Sequence, residues 1–364
     1  MAISVSGSQI QFNDSSVQNT AATGFGFKNR IINGAMMIDQ RNAGAAVTTT
    51  AAYTVDRWIT EESTDGVCTF GRSTDAPTGF TNSLRMTVTT ADTSIGAAQY
   101  AAFSQIIEGF NVADFMLGTA NAVTFTLSFW VKSSVTGYFN GTVQNGYSTR
   151  LYPFAVNITA ANTWEYKTVT IAGDTTGSWL TNNDRGLMVQ FYPVLGSNYI
   201  GASGWNNSNI YGTQSSSNVM ATVGNIFAIT GVQLEKGSTA TSFDYRPYGT
   251  ELALCQRYYW KISDTAAIAD IMLPLSMGST SSSAFFSMNH PVTMRVKPTI
   301  GALLSVANAN ATVLAQVIQG SNLSSPTVWA SNVSVSNGIT LTANTTYRTL
   351  INGVGYYIDA SAEL

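Results

Sequence analysis

Charge is what this sequence has least of. Asp, Glu, Lys and Arg together make up 10% of its 364 residues, against about 25% in typical soluble proteins. Seventeen Lys and Arg against twenty Asp and Glu leave a formal net charge of −3. No basic run is present that could displace counterions from a phosphate backbone, so nucleic acid is not expected as a partner. One histidine, His290, and two cysteines far apart in the chain, Cys68 and Cys255, serve zinc poorly. The two cysteines could form one bridge at most, and the usual burial of free thiols predicts two free, buried side chains. A Ser-His-Asp triad would have to use His290, and neither a Gly-x-Ser-x-Gly elbow nor a Gly-Lys-Ser/Thr phosphate loop occurs. No metal, cofactor or catalytic residue is therefore expected. Nowhere do 18 apolar residues run together, which excludes a membrane-spanning helix and predicts no membrane insertion. Met1 to Ser8 lack the basic and apolar regions of a secretory signal, so synthesis without export through a signal peptide is expected.

What is abundant is Thr, Val, Ile, Tyr and Phe, punctuated by Gly and Asn every ten residues or so. That pattern favours many short strands over long helices. The clearest strand is Val123 to Lys132, in which Val123, Phe125, Leu127, Phe129 and Val131 share one face and Trp130 stands alone on the other. Further strands are expected at Ser83 to Thr89, Gly137 to Gln144, Leu151 to Ile158, Trp164 to Ile171, Leu187 to Val194 and Asn225 to Glu235. In the last of these the apolar phase shifts from Phe227 and Ile229 to Val232 and Leu234, and Gly231 at the shift predicts a bulge. Six or more strands at this spacing suit a jelly-roll sandwich. Asn111 is expected to cap a short helical turn through Met116.

The chain divides into three parts. Residues 1–24 carry Ile3, Val5, Ile10 and Phe12 among Ser, Gly and Gln, too few to bury a core, and are expected to anchor on a partner or larger particle. Residues 25–248 form the jelly-roll domain. Residues 249–364 begin with a short linker helix, capped by Thr250 and bearing Leu252, Cys255 and Tyr259 at helical spacing. They continue as a C-terminal β-sandwich with strands near Val292 to Val296, Ala311 to Ile318, Val333 to Leu341 and Gly355 to Ala360. Residues 201–218, dense in Asn, Ser and Gly, form a loop long enough to suggest function.

Asn29-Arg-Ile-Ile-Asn-Gly-Ala-Met36, Asp39-Gln-Arg-Asn42 and Tyr53-Thr-Val-Asp-Arg-Trp58 resemble the opening motif of a family of bacteriophage tail-fibre proteins. Thr230-Gly-Val-Gln-Leu-Glu235, Phe243-Asp-Tyr-Arg-Pro-Tyr248 and Glu251-Leu-Ala-Leu-Cys-Gln-Arg-Tyr-Tyr259 resemble its central signature. Pro291 to Thr299 and Asp359 to Leu364 are similar to its C-terminal domain, and Ile3 to Gly7 with Ser15 to Gln18 to segments that attach a fibre to a tail or baseplate. The resemblance implies a homotrimeric virion fibre, made in the bacterial cytoplasm. Its N-terminus would be gripped by a tail or baseplate protein, its middle jelly roll would resemble a carbohydrate-binding module, and its distal end would meet the host.

Within that frame adhesion to a host-surface glycan or protein is the expected function. A sugar stacks its apolar face on an aromatic ring while its hydroxyls need short polar partners. Trp179, Tyr199, Trp205 and Tyr211 sit among Gly, Ser, Asn and Thr and are the candidate glycan contacts, though aromatics so placed serve the core or a trimer contact more often than a sugar. Trp329, Tyr347, Tyr356 and Tyr357 are candidates for a distal receptor surface or equally for a distal trimer seam. Asp56-Arg57-Trp58 is expected to form a buried or interfacial ion pair beside an indole, with Arg246, Glu251 and Arg257 as boundary contacts. The rival readings are a structural head-fibre or baseplate spacer and a glycan-cleaving spike. The spike needs two carboxylates about 5–9.5 Å apart, for which Glu165, Asp174, Asp184 and Glu235 are available without any sequence feature pairing them.

Overall fold

The computed structural model describes residues 28–48, 51–262, 289–299 and 359–364 in full, and elsewhere the backbone of strands alone. Strands β1 (Ser4–Ser6), β2 (Gln9–Gln11) and β3 (Val17–Gln18) form an antiparallel meander with Val5 opposite Ile10. Ile3 and Phe12 lie outside the described residues. Eleven further strands follow: β4 (Ala52–Tyr53), β5 (Ile59–Glu62), β6 (Val67–Ser73), β7 (Ser83–Thr90), β8 (Tyr100–Glu108), β9 (Phe125–Ser133), β10 (Gly137–Asn145), β11 (Leu151–Ile158), β12 (Glu165–Ile171), β13 (Arg185–Leu195) and β14 (Ile226–Lys236). They build a jelly-roll sandwich of one six-stranded sheet, ordered β11-β10-β13-β8-β5-β4, and one five-stranded sheet, ordered β12-β9-β14-β7-β6.

Period-two alternation explains the core. Phe125, Leu127, Phe129 and Val131 of β9 are almost wholly buried and face Phe139 and Val143 of β10 and Leu187, Val189 and Phe191 of β13. Phe129 and Phe191 meet across the sheets with ring centroids 4.7 Å apart at 69°. Burial of each such side chain favours folding by about 1.5–3 kcal/mol relative to exposure. The expected bulge is present: the β14–β9 register shifts between Thr230 and Gln233, and Gly231 has φ +60°. A Cβ there would lie 2.6 Å from Phe80 Cζ, so glycine serves both the backbone and the packing.

Residues 29–34 lie along β14, and residues 35–41 continue away from it toward Asp56 and Tyr259. Arg30 N donates to Leu234 O at 2.9 Å, and Val232 N donates to Gly34 O at 3.0 Å. The Asn29 side chain donates to Val232 O and accepts from Leu234 N and Ile31 N. It thereby continues the pairing along the edge of β14 that β7 leaves after Ile229. Asn33 does similar work at the next turn, donating to Ile38 O and Asp56 O while accepting from Ile38 N. Trp58, fully buried, donates its indole N–H to Asn33 O. The opening motif is thus a hydrogen-bonding frame.

Its charges pair differently from the sequence expectation. Asp56 and Arg57 are not each other's partners. Asp56 accepts from the Gln40 main chain at 2.9 Å and side chain at 2.5 Å, while buried Arg57 lies 3.5 Å over the Tyr258 ring and pairs with Glu363. The two residues lie in a tight turn closed by Trp58 N donating to Val55 O, with Arg57 at φ +71°, and the turn sends their side chains to different partners. Likewise Glu251 pairs with Arg246, and Arg257 forms a two-pronged pair with Glu108 at 2.8 and 2.9 Å.

Helix α1 (Tyr248–Gln256) leads into β15 (Tyr259–Ser263). Pro247 occupies its N-cap and Thr250 lies inside the first turn, so the expected threonine cap is not made. Cys255 and Tyr258, with Ile32 and Ile38, form a small second core, whereas Tyr259 already belongs to the strand. The expected Asn111 cap is absent too: two 3-10 turns, Gly109–Asn111 and Ala113–Phe115, replace the single turn, with no side-chain cap. Strands β16 (Ile271–Met272), β17 (Ser276–Thr280), β18 (Ser283–Asn289), β19 (Thr299–Ala307), β20 (Val313–Ile318), β21 (Ala330–Ser336), β22 (Thr346–Ile351) and β23 (Tyr357–Ser361) join β15 in an antiparallel network. Val292 to Val296 is not a strand. It is an irregular crossing in which Met294 is buried and the Arg295 guanidinium donates to Asn183 O, Ala362 O and Glu363 O. His290 is buried and accepts the Trp260 indole N–H at Nδ1, 3.0 Å away.

Candidate functional site

The outward face of the six-stranded sheet carries a groove enclosing about 360 Å³, a size suited to a small ligand. Strands β8, β13 and β10 supply its floor. Register aligns Ser104 with Gln190 and Gln190 with Thr142, and aligns Met188 with both Ile106 and Gln144. These are the alternate positions that turn away from the core. Two amides, two hydroxyls and two apolar side chains, and no charge, fill them. Gln190 is the hub, since its Oε1 accepts from Tyr192 OH at 2.8 Å and from Gln144 Nε2 at 2.6 Å, and its Nε2 donates to Ser104 Oγ at 2.9 Å. Gln144 Oε1 is buried and has no partner among the described residues. A buried acceptor left open beside a groove needs a donor, which an ordered water supplies as well as a ligand hydroxyl does.

One wall is aromatic. Tyr192, at the end of β13, stacks on Tyr211 with centroids 5.7 Å apart at 18°, and Tyr211 lies 5.1 Å from Tyr199. Tyr100 meets Tyr192 and Tyr199 edge-on at 6.1 and 6.0 Å. The Asn- and Ser-rich loop of 196–217 brings two of the four rings here. It is held by Tyr211 N and Gly212 N donating to Tyr199 O, and by an isolated bridge between Ile200 and Gly212. Mutual burial, reinforced by Glu61 nearby, pushes the Tyr192 hydroxyl well above its ordinary pKa and raises those of Tyr100 and Tyr211. The wall therefore presents neutral hydroxyls.

The four aromatic residues expected to contact a glycan separate into two pairs. Tyr199 and Tyr211 line the groove. Trp179 and Trp205 pack against the core and against each other, 5.4 Å apart at 89°, with their indole N–H groups donating to Thr176 O and Ala172 O. Tyr192, Tyr100, Gln190 and Gln144 join the site without having been singled out in sequence. Trp329 and Tyr356 lie outside the described residues, and Tyr347 and Tyr357 lie in strands β22 and β23.

The carboxylates available for hydrolysis are each engaged in holding a loop. Glu165 accepts from Thr159 N, Ala160 N and Lys167, which hold its pKa down to about 2 despite partial burial. Asp174 takes a two-pronged contact from Arg150 at 2.6 and 2.8 Å. Glu235 accepts from Thr241, and Asp184 from Tyr147 OH. Both cysteines are free and buried, and burial pushes their thiols up. Among the described residues no three His, Cys, Asp or Glu side chains converge as a metal site, and no helix is long and apolar enough to cross a membrane.

No protein-family model matches the chain, and no curated protein matches it in sequence. Solved structures similar to it include the enzymatically active domain of tailspike protein 4 of bacteriophage CBA120, at 16% identity and TM-score 0.33 over 57% of this chain and 21% of that one. The chain thus spans about a fifth of that tailspike domain. TmCBM61 in complex with beta-1,4-galactotriose is similar at 10% identity and TM-score 0.30, over 58% of this chain and 100% of that one. The family 11 carbohydrate-binding module of a Clostridium thermocellum cellulase is similar at 10% identity and TM-score 0.29, over 54% and 98%.

Proposed function

We propose that this chain is a subunit of a phage tail fibre that binds a host-surface glycan in the tyrosine-walled groove and does not cleave it. The observation that carries the reading is the juxtaposition of stacked rings at Tyr192, Tyr199 and Tyr211 with the Gln144–Gln190–Ser104 amide ladder and its open acceptor. A pyranose offers a C–H face to the rings and hydroxyls to the amides. The fibre assignment is supported by the motifs of residues 29–58 and 230–259. Residues 1–24 would attach the fibre to a tail or baseplate protein, and three copies would assemble through weakly charged faces. Avidity from several such grooves makes weak single-site affinity sufficient.

The test is binding of the full chain to immobilised capsular polysaccharides and O-antigens of candidate hosts. A Tyr199→Ala/Tyr211→Ala double variant should lose about tenfold or more in affinity, as expected for removing well-packed aromatic anchors. Undiminished binding by a folded double variant would refute the groove, and a loss on changing Trp329, Tyr347, Tyr356 or Tyr357 instead would move the site to the C-terminal part. A chain that binds none of these surfaces would be a spacer. Reducing ends released from a bound polysaccharide would refute the non-cleaving reading, and a sedimentation mass other than three chains would refute the trimer.

A further inference from the structure

The groove is electrically polarised along its length. Register sets Arg185 opposite Glu108 at one end of β13 and Leu195 opposite Tyr100 at the other. On β5, Glu61 stands opposite Ala102, close to the tyrosine end. Both Arg185 and Glu61 line the groove. From Arg185 to Tyr192 is seven residues of extended chain, about 20 Å, long enough for several sugar units.

Neither charged side chain has a hydrogen-bond or ion-pair partner among the described residues. Arginines elsewhere in the fold are used differently: Arg30, Arg57, Arg150 and Arg257 each hold a carboxylate. The carboxylate beside Arg185 in sequence, Asp184, is occupied by Tyr147 OH at 3.0 Å and by the Arg185 main-chain N–H at 2.8 Å. Arg185 thus brings an uncommitted guanidinium to the groove, a planar donor fork whose geometry matches a carboxylate. Glu61 brings an acceptor suited to sugar hydroxyls and repels an anion from the tyrosine end.

We propose that the groove selects an acidic oligosaccharide in one orientation. A uronic acid carboxylate is held by Arg185, and a neutral sugar unit lies against Tyr192 and Tyr211 with hydroxyls donating to Glu61 and to Gln144 Oε1. This specificity rests on the glycan-binding reading of the same groove.

The full chain is titrated against matched pairs of oligosaccharides in which a uronic acid alternates with a neutral sugar, the acid being galacturonic, glucuronic or mannuronic, each beside its carboxyl-reduced neutral form. The acidic member of at least one pair should bind about tenfold or more tightly, the scale of one charge-assisted hydrogen-bonded contact, and rising salt should erode that advantage. Arg185→Gln should abolish the preference, so that both members of a pair bind that variant with equal affinity, and Arg185→Lys should restore part of it. The Tyr199→Ala/Tyr211→Ala variant should weaken both members. Equal binding of acidic and neutral forms, or a preference surviving in Arg185→Gln with its melting temperature unchanged, would overturn the acidic specificity and leave the glycan reading intact. Binding of no member of any pair would overturn the acidic specificity, and the polysaccharide panel would then decide the glycan reading separately.

Discussion

Replacing Gln190 by leucine tests whether the groove floor is a connected polar ladder. The substitution conserves approximate volume at a position 7% exposed but removes three hydrogen bonds together. Tyr192 OH loses its acceptor, Ser104 Oγ loses a donor, and Gln144 Nε2 loses its acceptor beside an Oε1 already without a partner. Those three neighbours are themselves at most 2% exposed. A buried polar group left unpaired costs about 1–3 kcal/mol. Ser104 can turn its hydroxyl and Tyr192 lies next to the open groove, so both recover part of the loss, while Gln144 does not. The net expectation is a destabilisation of about 2–4 kcal/mol, read by chemical denaturation followed through tryptophan fluorescence. Affinity for any groove ligand should fall in the same variant, because the ladder positions the acceptors. A change below about 0.5 kcal/mol, the range of an ordinary surface substitution, would refute the ladder and with it the claim that Gln144 Oε1 awaits a donor.

Other consequences are as specific. Gly34→Ala would place a Cβ 2.2 Å from the Val232 carbonyl oxygen, where main chain meets main chain, so a loss above about 2 kcal/mol in stability, or no folded protein, is expected; a normal melting temperature would contradict that packing. Glu165, held down to about 2 from 4.5, contributes stability that is complete above pH 4.5 and disappears as pH falls through 2, so Glu165→Gln should flatten that acid limb of a stability–pH curve. Asp56 has the opposite sign: burial raises it from 3.8 to about 6, so stability falls as pH rises between those values, and Asp56→Asn should remove that decline. Cys68 and Cys255, buried and with thiols pushed up, should react with a thiol reagent only on unfolding; rapid labelling of native protein would contradict their burial.

Much of the sandwich was legible because its strands alternate. The strands read at Ser83, Gly137, Leu151, Trp164, Leu187 and Asn225 are found within two residues of those starts. Strand β8 was not, for a physical reason: it is covered on both faces, and its inward row of Ala101, Phe103 and Ile107 is interrupted by Gln105, which bonds to Ile32 N and O. Alternation fails where a core position holds a glutamine serving another segment's backbone. Strand β6 was missed because only Cys68 and Phe70 mark its inner face. The groove was half legible. Tyr199 and Tyr211 stand out in a loop of small polar residues, but Gln190 and Gln144 look like the ordinary polar face of any half-buried strand. Only the register of β10, β13 and β8 brings them together with Ser104.

The frame of residues 28–41 also has a consequence for how the molecule comes into being. Asn29 and Arg30 find their partners in β14, at sequence separations of about two hundred residues, and Arg57 finds its counter-charge at Glu363, 306 residues later. On the ribosome the first part of the sandwich must wait for nearly all of the rest, with its strand edges uncovered meanwhile. A chain interrupted after β14 could close its sheets yet would lack both the Tyr258 ring over Arg57 and the Glu363 carboxylate that pairs with it. The Arg57–Glu363 pair thus ties the stability of the sandwich to a residue 306 positions further along, so that a chain cut between the two is left less stable and more open to proteolysis.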